Sequence, residues 1–127
     1  MQQRLAERLG AEPDIVVAMV FGSAADDRLR PDSDVDVAVL ADAPLSTARR
    51  QALIAQLAEE FGRPVDLVDM RTAGPVVLGE VLAKGRRLVC RDVSAYAAIL
   101  ARTLLDAADF LPYRQRILRE RRMSWTG

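Results

Sequence analysis

Histidine is absent from this sequence and cysteine occurs once, and the two shortages exclude much of the usual chemistry of active sites. Without histidine, the chain cannot form a Ser-His-Asp triad, a Cys-His pair or a zinc site with imidazole ligands. Because Cys90 is its one cysteine, it can form no internal disulfide, which favours a reducing compartment. Any metal that the protein binds should therefore be a hard cation held by carboxylates.

Long apolar segments and an excess of charge are also lacking. The apolar run Ile15–Phe21 has seven residues, far fewer than the roughly 20 needed to cross a bilayer, so we expect a cytoplasmic protein without a membrane partner. The formal net charge is zero, which argues against a protein that mainly wraps nucleic acid, and no direct nucleic-acid partner is expected. At 127 residues, the chain is predicted to form a single domain over residues 1–127.

Hydrophobic periodicity predicts helices that alternate with strands. Runs rich in β-branched residues predict strands, and apolar residues three or four apart predict helices. Strands are predicted over residues 15–21, 34–40, 65–70 and 87–90, and helices over residues 2–9, 46–61, 75–83 and from 94 onward, with a helical turn over 23–27. Pro112 should kink or break the last helix. This order predicts an α/β (α+β) fold, in which helices cover a small mixed sheet and a long helix lies near the C-terminus.

The most informative pattern is Gly22-Ser23 followed, after ten residues, by Asp34 and Asp36. Residues two apart on a strand project from one face, so these two carboxylates should lie together and repel each other unless a cation binds them. Mg²⁺ commonly binds one or two carboxylates together with substrate phosphates. A glycine directly after a buried strand lets a phosphate approach the backbone, and Ser23 adds a hydroxyl donor. The pattern therefore predicts a magnesium-nucleotide site.

A third carboxylate is expected in the following strand, because an acceptor hydroxyl must lose its proton when it attacks phosphorus. Asp66 and Asp69 are the two candidates. They are three residues apart, so they face opposite sides of the strand and only one of them can join the site. Asp66 is preferred because it begins its strand, as Asp34 does, and Asp69 stays open as the alternative.

Charge is distributed unevenly along the chain. Acids predominate between residues 12 and 36, whereas residues 113–127 contain five arginines and one glutamate. Both segments could simply be solvated faces. The other interpretation is a cation site in the first segment and a docking surface for an acidic partner in the second. We therefore consider residues 113–127 a basic tail that could form a partner-docking helix.

The Gly22-Ser23 motif, the Asp34 and Asp36 pair and the Asp66 strand together resemble the signature of the nucleotidyltransferases of the DNA polymerase beta superfamily. Chain length and element order resemble its minimal nucleotidyltransferases, the MntA-like antitoxins encoded beside a HEPN-domain toxin. This resemblance implies an enzyme that transfers AMP from Mg-ATP to a hydroxyl, expected to be a tyrosine, of a cognate HEPN ribonuclease toxin. It implies that Asp34, Asp36 and Asp66 are catalytic and hold Mg²⁺ ions, expected as a pair. The nucleotide-binding turn would be Gly22 and Ser23.

One dipeptide departs from the family pattern, since Asp26-Asp27 stand where many relatives have Arg-Gly. Two anions replace a cation beside the phosphate-binding turn, which puts the affinity for ATP in question unless Arg28 substitutes. Two alternative functions also stay open. The acceptor could be a small molecule such as an aminoglycoside, or the chain could neutralise its partner by binding alone.

Overall fold

The structure is a computed structural model that describes residues 1–25 and 33–106. Its helices are α1 (Gln2–Gly10), α2 (Thr47–Phe61), α3 (Pro75–Lys84) and α4, which covers residues 93–106. Its strands are β1 (Ile15–Phe21), β2 (Val35–Ala41), β3 (Val65–Asp69) and β4 (Arg86–Cys90). A 3-10 turn, Gly22–Ala24, follows β1 directly.

The four strands form one mixed sheet in the order β3-β2-β1-β4. β1 pairs antiparallel with β2 and with β4, whereas β2 pairs parallel with β3. β1 and β2 therefore occupy the interior of the sheet, which explains why both are nearly continuous runs of apolar residues: each must bury both of its faces. The predicted fold class, a small mixed sheet covered by helices, is confirmed.

On one face of the sheet, α1 and α2 supply the core. Leu5 and Leu9 of α1 and Leu53 and Leu57 of α2 are fully buried, and they belong to the same apolar cluster as Val37 of β2. The four-residue spacing within each helix places each pair of leucines on one stripe, as an amphipathic helix requires. In the described residues, this face of the sheet is covered by apolar packing.

On the opposite face, α3 and α4 supply the core. Leu78 of α3 and Ile99 of α4 are buried in a cluster with Ala38 and Leu40 of β2. Successive residues of a strand alternate between the two faces. Asp36, two positions before Ala38, therefore projects toward the face that α3 and α4 cover.

The boundaries of α2 follow its capping residues. The Ser46 side chain accepts a hydrogen bond from the backbone amide of Arg49 at 3.0 Å, which satisfies a donor at the beginning of the helix. Gly62 ends the helix with a φ of 65°, the left-handed conformation typical of a helix C-terminus. The sequence predicts both ends of this helix correctly.

Other boundaries differ from the sequence prediction. β2 begins at Val35, so Asp34 precedes the strand instead of opening it. The turn after β1 is helical over Gly22–Ala24 and is capped by Ala25, and residues 26 and 27 of the predicted turn lie outside the described residues. Pro112 and the basic tail 113–127 also lie outside them. In the described ranges, every helix is too short or too polar to cross a membrane.

Candidate functional site

The turn that follows β1 lies directly against Asp36. Gly22 has a φ of 65°, a left-handed conformation that glycine adopts without strain. A Cβ atom at this position would lie 2.5 Å from Oδ2 of Asp36, closer than side chains normally tolerate. The amide of Ala25 donates to the carbonyl of Gly22 at 3.1 Å and closes the turn, and Ser23 is half-buried within it. The backbone conformation and the close approach each require a glycine here.

Strand pairing brings Asp36 and Asp66 to neighbouring positions. In the antiparallel ladder, Asp36 lies opposite Phe21, the residue before Gly22. In the parallel ladder, it lies opposite Asp66. Residues directly opposite each other project from the same face of a sheet, so both carboxylates lie on the face that α3 covers. Asp34 is exposed and stands one residue before β2.

The environment of Asp36 disfavours its ionised form. Burial is the largest cause that raises its pKa, and the negative charges of Asp66 and Asp34 raise it further. Both neighbouring carboxylates are therefore close enough to act on Asp36 electrostatically. A bound cation would reverse this effect, because its charge favours the ionised state of all three groups.

The donor set of the site fits Mg²⁺. Asp36 and Asp66 offer hard carboxylate oxygens side by side. Within residues 1–25 and 33–106, no three carboxylates or thiols converge on one ion position as the side chains stand. Mg²⁺ does not require such a cage, since it usually takes one or two carboxylates and completes its coordination with water and substrate phosphates.

A cavity of about 600 Å³ opens beside these carboxylates. The turn and the carboxylates form one side of it and a face of α3 forms the other. Its lining residues are Phe21, Gly22, Asp36, Asp66, Val68, Val76, Val77, Glu80 and Lys84. The volume falls within the range of cavities that bind small molecules, and it is sufficient for a nucleotide.

Lys84 is a cavity residue to which the sequence assigned no role. Among the described lining residues it is the only cation, and it is the last residue of α3, whereas the carboxylates belong to β2 and β3. Its side chain is 72% exposed and pairs with Glu80, one helical turn earlier on α3, at 3.2 Å. An exposed pair of this kind contributes at most about 1 kcal/mol, so Lys84 can exchange Glu80 for a phosphate at little cost. The sequence marks Lys84 only as its single lysine. Its place at the cavity depends on how α3 packs against the sheet, which the sequence does not predict.

The structure separates the two candidates for a third carboxylate. Asp66 is exposed and lines the cavity. Asp69 is 6% exposed, and its side chain accepts a hydrogen bond from the backbone amide of Arg71 at 2.9 Å. The backbone carbonyl of Asp69 also accepts from the amide of Ala73. Asp69 therefore stabilises the turn after β3, and Asp66 is the one beside Asp36.

Some residues singled out in the sequence lie outside the described ranges. These are Asp26 and Asp27, which replace the family's Arg-Gly, the neighbouring Arg28, and the basic tail 113–127. Their roles stay predictions from the sequence.

Comparison with protein families gives a match over most of the chain. A family model described as polymerase beta, nucleotidyltransferase matches residues 3–94, a range that contains every candidate site residue. A curated relative, the protein adenylyltransferase MntA of Shewanella oneidensis, is 36% identical over 76 residues, which are 60% of this chain and 55% of that protein. The chain thus matches only about half the length of this curated relative.

Solved structures resemble the chain over nearly its whole length. A crystal structure of a toxin-antitoxin pair with AMP-PNP contains a chain that is 27% identical, with a TM-score of 0.76 and 94% of each chain covered. A structure of a tri-AMPylated Shewanella oneidensis HEPN toxin in complex with an MNT antitoxin gives a TM-score of 0.72 at 26% identity and covers 94% of this chain and 98% of that one.

Proposed function

Because the chain belongs to the polymerase beta nucleotidyltransferase family, we propose that it is a protein adenylyltransferase antitoxin. It transfers AMP from Mg-ATP to a hydroxyl, expected to be a tyrosine, of a cognate HEPN ribonuclease toxin, and so inactivates the toxin. The observation that supports this most is the contact between Gly22 and Asp36, where no Cβ would fit. This contact sets a phosphate-binding turn directly beside a pair of carboxylates.

In this proposal, Gly22 and Ser23 bind the triphosphate of ATP. Gly22 presents bare backbone, so a phosphate oxygen can approach without meeting a side chain. Backbone amides at the beginning of a helical turn lack intrahelical partners and can donate to an anion. The Ser23 hydroxyl adds a further donor.

Asp34, Asp36 and Asp66 would hold Mg²⁺, expected as two ions. When bound, the metal neutralises charge on the phosphates and stabilises the charge that develops during phosphoryl transfer. The raised pKa of Asp36 supports this role, because its causes are burial and like-charged neighbours, which a cation offsets. Asp66 would complete the metal site or accept the proton of an incoming hydroxyl, and its exposure at the cavity supports either role.

The reaction that follows is an in-line displacement at the α-phosphorus of ATP. The hydroxyl oxygen of the toxin forms a bond to the α-phosphorus, its proton passes to Asp66, and the bond from the α-phosphorus to the bridging oxygen breaks. Pyrophosphate leaves with that oxygen. Lys84, the cation of the cavity lining, binds phosphate oxygens and compensates their negative charge.

The basic tail is the proposed docking segment for the toxin. Residues 113–127 contain five arginines, which suit a partner with an acidic surface. The unequal charge of the chain would then orient the toxin relative to the carboxylates, which lie in the acidic part of the sequence.

Intact-mass measurement of the partner tests the proposed function. The chain is incubated with the product of the neighbouring gene, expected to be a HEPN-domain protein, together with ATP and Mg²⁺, and the partner is weighed. We expect a gain of one or more adenylate units, pyrophosphate release in equal amount, and no gain when a chelator removes Mg²⁺. No gain with folded, metal-loaded protein would exclude the proposal. An aminoglycoside in place of the partner is the control, and its modification without any protein acceptor would instead identify a small-molecule enzyme.

A further inference from the structure

Gln2, the first residue of α1, is hydrogen-bonded to the turn that we propose binds phosphate. Its side-chain Nε2 donates to the carbonyl of Ala24 at 2.9 Å and to the carbonyl of Ala25 at 3.2 Å. The two partners are 22 and 23 residues away in the sequence. This is a tertiary contact that joins α1 to the end of the turn.

These two carbonyls lie at the C-terminal end of a short 3-10 helix, a position where backbone acceptors commonly need partners from outside the helix. A glutamine side chain carries two N–H donors on one nitrogen, so a single amide can serve both acceptors. Ala24 and Ala25 are only 2% and 1% exposed, so water has little access to this part of the turn. Gln2 therefore supplies donors that solvent is poorly placed to replace.

Gln2 is also carried by a firmly anchored helix. Leu5 and Leu9 of α1 are fully buried in the core. Arg8 forms an ion pair with Glu60 of α2 at 3.0 Å and donates to Oε1 of Gln56 at 2.9 Å. Because α1 is held at several points, the position of the Gln2 amide is fixed relative to the sheet, and so is the turn to which it binds.

We propose that Gln2 is a positioning residue of the nucleotide site, and that its amide holds the Gly22–Ser23 turn at its distance from Asp36. The proposal rests on the proposed nucleotide binding. The turn and Asp36 are closely packed, since even a Cβ on Gly22 would lie 2.5 Å from Oδ2 of Asp36. If the turn is released, the phosphate donors spend less time at the correct distance from the carboxylates, and a nucleotide binds both less tightly.

A matched pair of glutamines tests this role. Gln2→Met keeps the length of the side chain and a good helix former but removes both donors. Gln3→Met makes the same chemical change at the next residue, where the exposed Gln3 donates to Glu7 of its own helix at 3.5 Å. Binding of a non-hydrolysable ATP analogue with Mg²⁺ is measured by calorimetry at a temperature where circular dichroism shows both variants fully folded.

We expect the dissociation constant of Gln2→Met to rise about fivefold to tenfold, the effect of removing about one hydrogen bond's stabilisation from the binding-competent turn, and that of Gln3→Met to stay at the wild-type value. A role in folding alone would lower the melting temperature without changing affinity in the folded protein. If the wild type binds the analogue and Gln2→Met binds it as tightly as Gln3→Met does, the positioning role of Gln2 is wrong, but the proposed function is unaffected. Absence of binding in the wild type would instead overturn the proposed function and this inference with it.

Gln2→Met should fold, because the core contacts of α1 are made by leucines that the change does not touch. Gln2→Glu is a second variant that keeps the shape of the side chain and replaces the donor by an acceptor. Its carboxylate repels the carbonyls of the turn, so we expect it to weaken binding at least as much as Gln2→Met. If Gln2→Glu bound the analogue as tightly as wild type, the proposed positioning role would be wrong.

Discussion

Replacing Asp36 by asparagine is expected to lower the rate of AMP transfer by about a thousandfold or more. Asparagine has the same shape but carries no charge, so it is a poor ligand for Mg²⁺. Metal-ion stabilisation of a developing charge contributes several kcal/mol, and each 1.36 kcal/mol changes the rate about tenfold. The measurement is the initial rate of mass gain of the partner at saturating ATP. Asp42→Asn is the control, because Asp42 is exposed and follows the opposite end of β2.

The same substitution should leave the fold intact or stabilise it slightly at neutral pH. Burial and the charges of Asp66 and Asp34 raise the pKa of Asp36 in the folded state. The folded state therefore holds this proton more tightly than the unfolded state, and the ionised carboxylate disfavours folding. That unfavourable effect is present above the folded pKa and disappears as the pH falls through it. A melting temperature well below that of the Asp42→Asn control would contradict this account of the site.

The paired change of Asp34 and Asp36 to asparagine separates catalysis from binding. If AMP transfer is the mechanism of neutralisation, the double variant should still bind the toxin but should leave its ribonuclease active. If the double variant neutralises the toxin as wild type does, binding is sufficient and the catalytic account of the antitoxin fails.

Gly22→Ala is expected to lower the rate of AMP transfer about a hundredfold, whereas Gly62→Ala should leave it unchanged. Both glycines have a φ of 65°, so both substitutions strain the backbone by about 1–2 kcal/mol. A Cβ at Gly62 meets nothing within 4 Å, but at Gly22 it would lie 2.5 Å from Oδ2 of Asp36. Asp36 or the turn must then move to relieve this contact. A displacement of about 1 Å at a reacting centre costs about a hundredfold in rate.

The comparison uses Gly62→Ala as a measure of backbone strain alone. The melting temperature of each variant is measured first, as a check that the backbone strain is similar in both. The rates of AMP transfer are then compared at a temperature where both variants are folded. Similar rates in the two variants would mean that the close approach of the turn to Asp36 has no role in the reaction.

The parts of the fold that the sequence predicts well are those decided by local patterns. The seven apolar residues of β1 require burial on both faces, and its bounds Ile15–Phe21 agree with the prediction. The ends of α2 are predicted because Ser46 and Gly62 are strong local signals. The strand order β3-β2-β1-β4 depends on long-range pairing, and no local pattern specifies it.

The same distinction between local patterns and long-range packing applies to the candidate site. The motif of Gly22, Ser23, Asp34 and Asp36 is a local pattern, and the structure brings Gly22 against Asp36 as that pattern predicts. Which of Asp66 and Asp69 lies beside Asp36 depends on the parallel register, which sets Asp66 opposite Asp36. The α3 wall of the cavity and the Gln2 contact are absent from the sequence prediction. Both depend on how a helix packs against distant parts of the chain.

The binding of a magnesium nucleotide is the central claim, and a calorimetric titration with a non-hydrolysable ATP analogue measures it directly. The wild-type chain is titrated with Mg²⁺ present, then with Mg²⁺ removed by a chelator, and Asp36→Asn is titrated with Mg²⁺. We expect saturable binding at one site for the wild type with Mg²⁺, and an affinity at least about tenfold lower in the other two titrations. No binding in any of them, or the same affinity in all three, would contradict the account.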